Sequence, residues 1–326
     1  MRIGKITENA LKRSVLKPLK TEYKKNASAA VGTDCAFSSD KKSFSAMNTV
    51  TADISDAGYY AVMKAAGSLF SQGITPDHVS VNVLLPAEAE EQELKKIVAD
   101  CLEAAKQLEV MYAGGHTEVT TAVNRAVITA VCVGYAEDDK AAAIAEGKGK
   151  PGQAIVVSKW AALEGTAMLA AERYDELTTR YPAPFVDDAV RFKGLMDIRK
   201  EAEIAIKAGA TSIHDASNGG IFAALWELAA RAGCGLKVDL KAIPMRQETV
   251  EICEFFEINP YQLLSGGALL FTAEDGEKLA DELRQAGIPA AVVGYLQEGN
   301  DKIIVNNDES RFLEMPQADE IHRTLS

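Results

Sequence analysis

Two short glycine-centred runs, about a hundred residues apart, constrain this chain more than any other feature: Gly114-Gly115-His116-Thr117-Glu118-Val119 and His214-Asp215-Ala216-Ser217-Asn218-Gly219-Gly220. Each follows a β-like apolar stretch. Paired glycines let backbone N–H groups face an anion with no Cβ in the way. Thr117 adds a hydroxyl, Glu118 a carboxylate, and His116 a ligand nitrogen or proton carrier. The second run leads straight into the helical stretch Ile221 to Leu228, and a glycine-rich helix start attracts anions, with Asp215 placed to hold a cation beside it. One such turn per half suggests a phosphate-bearing ligand held between two α/β units. A plainer reading stays open for each: a tight turn with a partly buried histidine, and a helix cap.

The 326 residues suffice for two domains with separate cores. In the first half, strands are expected over 42–55, 78–86 and 126–135, with Val79, Val81, Val83 and Leu85 alternating before Pro86. Helices are expected from Tyr59 to Gln72, ending at Gly73, and from Glu88 to Leu108. This order suggests an α+β layer on a mostly antiparallel sheet. The stretch Glu146 to Gly152 has no periodicity and several glycines, so the domains are expected to be 1–148 and 149–326. Beyond it, strands are expected at 154–157, 268–272, 290–295 and 302–305, and helices at 164–174, 189–208 and 220–230.

A formal charge of −12 argues against a nucleic-acid binder. The one basic cluster, Lys12 to Lys25, reads as a solvated N-terminal arm. No stretch is long and apolar enough for a membrane span, and the start lacks a signal-peptide core, so a cytoplasmic location is expected. The five cysteines, Cys35, Cys101, Cys132, Cys234 and Cys253, form no Cys-x-x-Cys pair and fit a reducing compartment.

Other runs carry less. In Gly32-Thr33-Asp34-Cys35-Ala36, Asp34 is placed at a strand end facing a cleft, and Cys35 reads as a small buried thiol rather than a nucleophile. Ser265 lies in a turn feeding a buried strand. His78 and His322 have no clustered partner, and Trp160 and Trp226 read as core.

Taken in order, these runs resemble the aminoimidazole ribonucleotide (AIR) synthase superfamily, which includes thiamine-monophosphate kinase, selenophosphate synthetase and the hydrogenase maturation protein HypE. The matching segments are Ser14 to Leu19, Gly32 to Ala36, Gly73 to Pro76 with Val83 to Pro86, Gly114 to Glu118, Leu163 to Ala167 and His214 to Gly220. The last two fit best the HypE-like, AIR synthase-related branch. The resemblance implies an N-terminal α+β domain that dimerises through its sheet and a C-terminal α/β domain. It implies ATP and Mg²⁺ at the dimer interface, and phosphorylation or ATP-dependent activation of a small metabolite. By position, Asp34, Glu118 and Asp215 would hold magnesium. Gly114, Gly115, Thr117, Asn218, Gly219 and Gly220 would line the nucleotide, and His116 and Asp215 would act in catalysis.

The chain also departs from the family pattern. Gly67-Ser68 stands where Asn-Asp is usual, Ser45-Ala46-Met47-Asn48 lacks the second-strand acid, and His116 replaces an aspartate. Fewer anionic ligands weaken magnesium binding. HypE works through a C-terminal cysteine, and the last cysteine here is Cys253, so its carbamoyl dehydration is not expected. Two functions follow: an ATP-dependent phosphotransfer or ligase-type enzyme, or a non-catalytic nucleotide- or metabolite-binding or assembly protein keeping the dimeric fold. A homodimer and a small-molecule substrate are expected, with room for a protein partner.

Overall fold

The computed structural model describes residues 3–24, 28–136, 144–315 and 318–325. The strands of its first sheet come from residues 36–135 and those of its second from residues 154–312. The first sheet contains β1 (Ala36–Phe37), β2 (Ser43–Val50), β3 (Pro76–Leu85), β4 (Met111–Val119) and β5 (Val127–Tyr135), in the order β1-β2-β5-β3-β4. Its pairs are antiparallel except β3–β4. Alternation puts Val79, Val81, Val83 and Leu85 of β3 on the same buried face as Ile128, Ala130 and Cys132 of β5. Against that face pack α1 (Ala57–Phe70), made almost wholly of small and apolar residues, and the amphipathic α2 (Glu91–Gln107). The other face carries the exposed Met47, and no helix of the described residues is long and apolar enough to cross a membrane.

The first glycine run does not form the expected turn. It lies within β4, the edge strand, which is exposed along most of its length. Gly115 explains this placement, because a Cβ there would lie 1.8 Å from the Val81 carbonyl oxygen of β3. Glycine lets the two parallel strands approach each other.

The second half is built on β6 (Ala154–Ser158), β7 (Ser212–Asp215), β8 (Gly235–Asp239), β9 (Leu269–Ala273), β10 (Ala290–Gln297), β11 (Lys302–Asn306) and β12 (Glu309–Phe312). Their order is β12-β11-β8-β10-β6-β9-β7, with β11–β8 the parallel pair. The helices α3 (Leu163–Glu172), α4 (Arg199–Lys207), α5 (Gly220–Ala232), α6 (Gln247–Phe255) and α7 (Gly276–Gln285) accompany this sheet, giving a second α+β layer.

The continuous helix expected over 189–208 is broken. A helix over Ala183–Val190 passes into a 3-10 turn, Arg191–Leu195, before α4 begins. Buried Lys159 fills the break, donating to the Leu195 and Asp197 carbonyls at 2.7 Å each and pairing with Glu201. The basic N-terminal cluster is helical, and its Lys12, Arg13, Lys17, Lys20 and Lys24 are exposed to solvent, as expected. The start of these turns, over 8–23, is tied to α5, where Trp226 donates from Nε1 to Glu8 at 2.7 Å and Lys5, just before them, pairs with Glu227. Trp226 and Trp160 are half-buried at cluster rims rather than inside a core.

Candidate functional site

The second glycine run closes β7 and starts α5, as its sequence suggests. Gly219 and Gly220 take φ of 85° and 68°, and a Cβ on Gly220 would meet the Tyr261 and Leu263 carbonyl oxygens at 2.6 and 2.7 Å. The turn is therefore reserved for glycine. It faces the first domain across two adjoining cavities of about 210 and 70 Å³ that share Lys5 and Asn218 in their linings. The larger is lined by Asp34, Asn48, Ser68, His214 and Asp215, and the smaller by Lys64, Glu164, Asp319 and His322.

Asp34 reaches this junction but is heavily engaged. Its Oδ1 lies 2.8 Å from His214 Nδ1. Its Oδ2 accepts from Gln72 Nε2 at 3.1 Å and from the Asp215 backbone N–H at 3.2 Å. On its other side, His214 Nε2 lies 3.2 Å from Glu227. Burial opposes a charge on His214, but Asp34 and Glu227 outweigh it and push the pKa up to about 10. The ring is thus an imidazolium at neutral pH. Burial also works to raise Glu227, yet His214 and Lys5 hold it down at about 2.

Asp215 is different. Burial, reinforced by the Asp34 charge, pushes its carboxyl up to about 7. Its folded-state pKa thus lies above the unfolded value, so the folded protein binds more protons between about pH 4 and pH 7 and loses stability as pH rises through that window. Asp215→Asn is expected to stabilise the fold by about 1–2 kcal/mol at pH 8, with a smaller gain at pH 5. Urea unfolding at the two pH values checks this; equal gains at both would sink it.

Lys64, Gln72 and Asp319 are not singled out in the sequence, and Glu164 only as part of the Leu163–Ala167 run, with no role assigned. Lys64 projects from α1 across the domain junction, with its side chain 4% exposed, to Glu164 of α3 at 2.7 Å. It also donates to Asn218 Oδ1 at 2.9 Å, and Gly266 N–H donates to Glu164 Oε2 at 3.1 Å. Asp319 accepts from the Gly219 N–H at 2.6 Å, so a carboxylate of the chain itself occupies one amide of the glycine turn. Burial pushes Asp319 up to about 6 against the pull of the Ile321 and Gly219 N–H groups. The available signals are the Leu163–Ala167 run and Lys64, a single basic residue in an otherwise apolar helix.

The remaining predicted residues lie elsewhere. His116 and Glu118, both exposed, sit 3.2 Å apart on β4. Gly114, Gly115 and Thr117 line a separate, shallow hollow with Val81 and Tyr112. Asp34, Glu118 and Asp215 therefore do not converge, and the described residues contain no cluster of three or more His, Cys, Asp or Glu side chains able to hold a metal. Asp34 is also spent on His214, Gln72 and the Asp215 amide, so these residues do not fit a magnesium site within one chain. Cys35 is a buried thiol, pushed up to about 12 by burial and the Asp34 charge, and is no nucleophile. Ser265 is structural, accepting from Ala162 N–H and donating to Leu263 O.

Two α+β halves that meet at a polar cavity beside a glycine turn define a two-domain cleft protein. The chain belongs to the AIR synthase related protein family, whose N-terminal domain model matches residues 15–136 and whose C-terminal domain model matches 150–306. It is 29% identical over 245 residues to carbamoyl dehydratase HypE of Rhodobacter capsulatus, covering 73% of this chain and 69% of that one. Among solved structures, a HypE–HypF complex matches with a TM-score of 0.75 and 20% identity over 93% of this chain and 100% of that one. Hydrogenase maturation protein HypE in complex with ATP matches with a TM-score of 0.70 and 19% identity over 96% and 95%.

Proposed function

We propose that this chain is an ATP-using enzyme that phosphorylates, or activates through phosphorylation, an oxygen atom of a small metabolite where its two halves meet. One observation carries the reading: Asp215, Asn218 and the Gly219 turn of the second domain share adjoining cavities with Lys64 of the first. Phosphoryl transfer rests on positioning and charge neutralisation more than on covalent catalysis. Lys5, paired with Glu227 and half-exposed, and Lys64, paired with Glu164, set the charge of the junction, and Asn218 supplies an amide. Asp215, with its carboxyl near 7, suits the uptake at neutral pH of the proton that phosphorylation releases, from the oxygen of a hydroxyl acceptor or from the nitrogen of a carboxamide. ATP as the nucleotide is supported by the ATP complex of HypE, and a carboxamide oxygen as acceptor by the carbamoyl dehydratase relative.

The cavities at the junction are smaller than the roughly 300–1,000 Å³ common for ligand sites, so the junction of one chain does not by itself enclose a nucleotide. Accordingly we place the active site in a homodimer, which covers the exposed β4 and its glycines. There His116, Thr117 and Glu118 gain their phosphate- and metal-facing roles. No step is assigned to magnesium.

A second reading, a non-catalytic binding or assembly protein, is favoured by the engagement of Asp34 with His214. The HypE–HypF complex supports a protein partner for either reading. Turnover of ATP with a panel of small amides and hydroxyl compounds separates the two. Asp215→Ala is expected to lower turnover about 10²–10⁴-fold with the circular dichroism spectrum unchanged. ATP binding by the parent without turnover of any acceptor would favour the second reading.

A further inference from the structure

We propose that the groove beneath the N-terminal helical turns is a second anion site, which takes a small, multiply phosphorylated molecule. It has a volume of about 940 Å³, within the size range of small-molecule pockets. Its walls come from distant parts of the chain: the turns over 8–23, residues 28–41, residues 145–148 and the end of α5. Five lysines line it: Lys12, Lys17, Lys20, Lys41 and Lys148. Glu146 is the one carboxylate among its described lining residues. Lys12 pairs with Glu8, and Lys41 with Glu146 at 2.7 Å, while Lys17, Lys20 and Lys148 have no carboxylate partner among the described residues.

A concentration of lysine in one concavity runs against a chain of formal charge −12. A concave wall of one sign focuses the field and draws in counter-charged ligands. Lysine ammonium groups bind phosphate as mobile point charges, and several around one groove match several phosphates better than one. Buried Leu16 and half-buried Phe37 give the groove an apolar floor for the rest of the molecule.

Parts of the groove's walls are tied to the second half of the chain. Trp226 and Glu227 anchor the overlying turns through Glu8 and Lys5. Arg231 fixes the floor, donating to the Ala145 carbonyl at 2.7 Å and the Gly32 carbonyl at 3.4 Å. The groove shares no lining residue with the two cavities at the domain junction, so the inference does not depend on the ATP-using role proposed above.

The test is calorimetric titration of the full chain with inorganic tripolyphosphate at low ionic strength. The parent protein is expected to bind saturably, and the double variant K17E/K20E to bind roughly tenfold more weakly or worse with an unchanged thermal midpoint. Lys148→Glu, on another wall, gives the same loss and serves if the double variant folds poorly. The remote double K95E/K207E changes the net charge equally and is expected to leave binding intact. Absence of saturable binding, binding untouched by K17E/K20E and K148E, or equal weakening by the remote pair would each overturn the proposal.

Discussion

Replacing His214 with alanine is expected to destabilise the fold by about 3–5 kcal/mol. The imidazolium sits between Asp34 and Glu227, both largely buried, and its removal leaves Asp34 inside the protein without its cationic partner. The cost comes from the abandoned charge more than from the lost contact. Adding Asp34→Asn to His214→Ala should therefore recover part of the loss, since the neutral pair removes the stranded carboxylate. The pH dependence gives a second check. The folded-state pKa of His214 is about 10 against an ordinary 6.5, so its contribution is complete below about pH 6.5 and fades as pH rises through 10. Denaturant unfolding between pH 6 and pH 10 should show this loss in the parent and a flatter profile in His214→Ala. A variant as stable as the parent at pH 7 would show that the ion pair contributes nothing.

Lys64→Met is expected to have an effect of the same size, about 3–5 kcal/mol, because Glu164 then stays fully buried without its ammonium partner. The Gly266 N–H still donates to Glu164 Oε2, but a single amide does not replace a cation. Lys64 joins α1 to α3 across the domain junction, so the loss should also loosen the contact between the halves. Hydrogen exchange would then rise along α3 and the Gly219 turn before it rises in β3. Lys64→Met with Glu164→Gln should be markedly more stable than Lys64→Met alone. Equal stability of single and double variants would mean that Glu164 is not held charged by Lys64.

Both residues show what a sequence can and cannot disclose. The alternation in β3, the small-residue helix α1 and the turn-to-helix passage at Gly219-Gly220 are local patterns, and they appear where their periodicity places them. The first glycine run follows a non-local rule. Gly114-Gly115 reads as a loop in isolation, but a parallel neighbour at Val81 makes it part of a strand. The break at Leu195 likewise depends on Lys159, whose ammonium fills it from β6 side of the fold. Strands β8 and β12 and helix α6 are short segments whose pairing or packing, rather than composition, decides their state, whereas α7 carries a readable signal in its Asp275 cap and the buried face of Leu279, Ala280 and Leu283.

The site divides in the same way. Asp34, Asp215 and Asn218 are legible because they flank glycines, and the fold gathers them at one junction. Gln72 and Asp319 carry no local sign, since each acquires its role from a partner far along the chain, and the Leu163–Ala167 run marks Glu164 without revealing its pairing with Lys64. Their burial is the reason they matter: a polar group with no water must find its partner inside the protein. Asp319 at the Gly219 amide is a case in point, because the position offered to an anion in the sequence is already met by the chain's own carboxylate.

The ATP-using reading is tested most directly by calorimetric titration of the chain with ATP, with and without Mg²⁺. Saturable binding in the micromolar range is expected with Mg²⁺ present, retained in K17E/K20E and unaffected by K95E/K207E. Absence of binding at millimolar ATP under both conditions would contradict it.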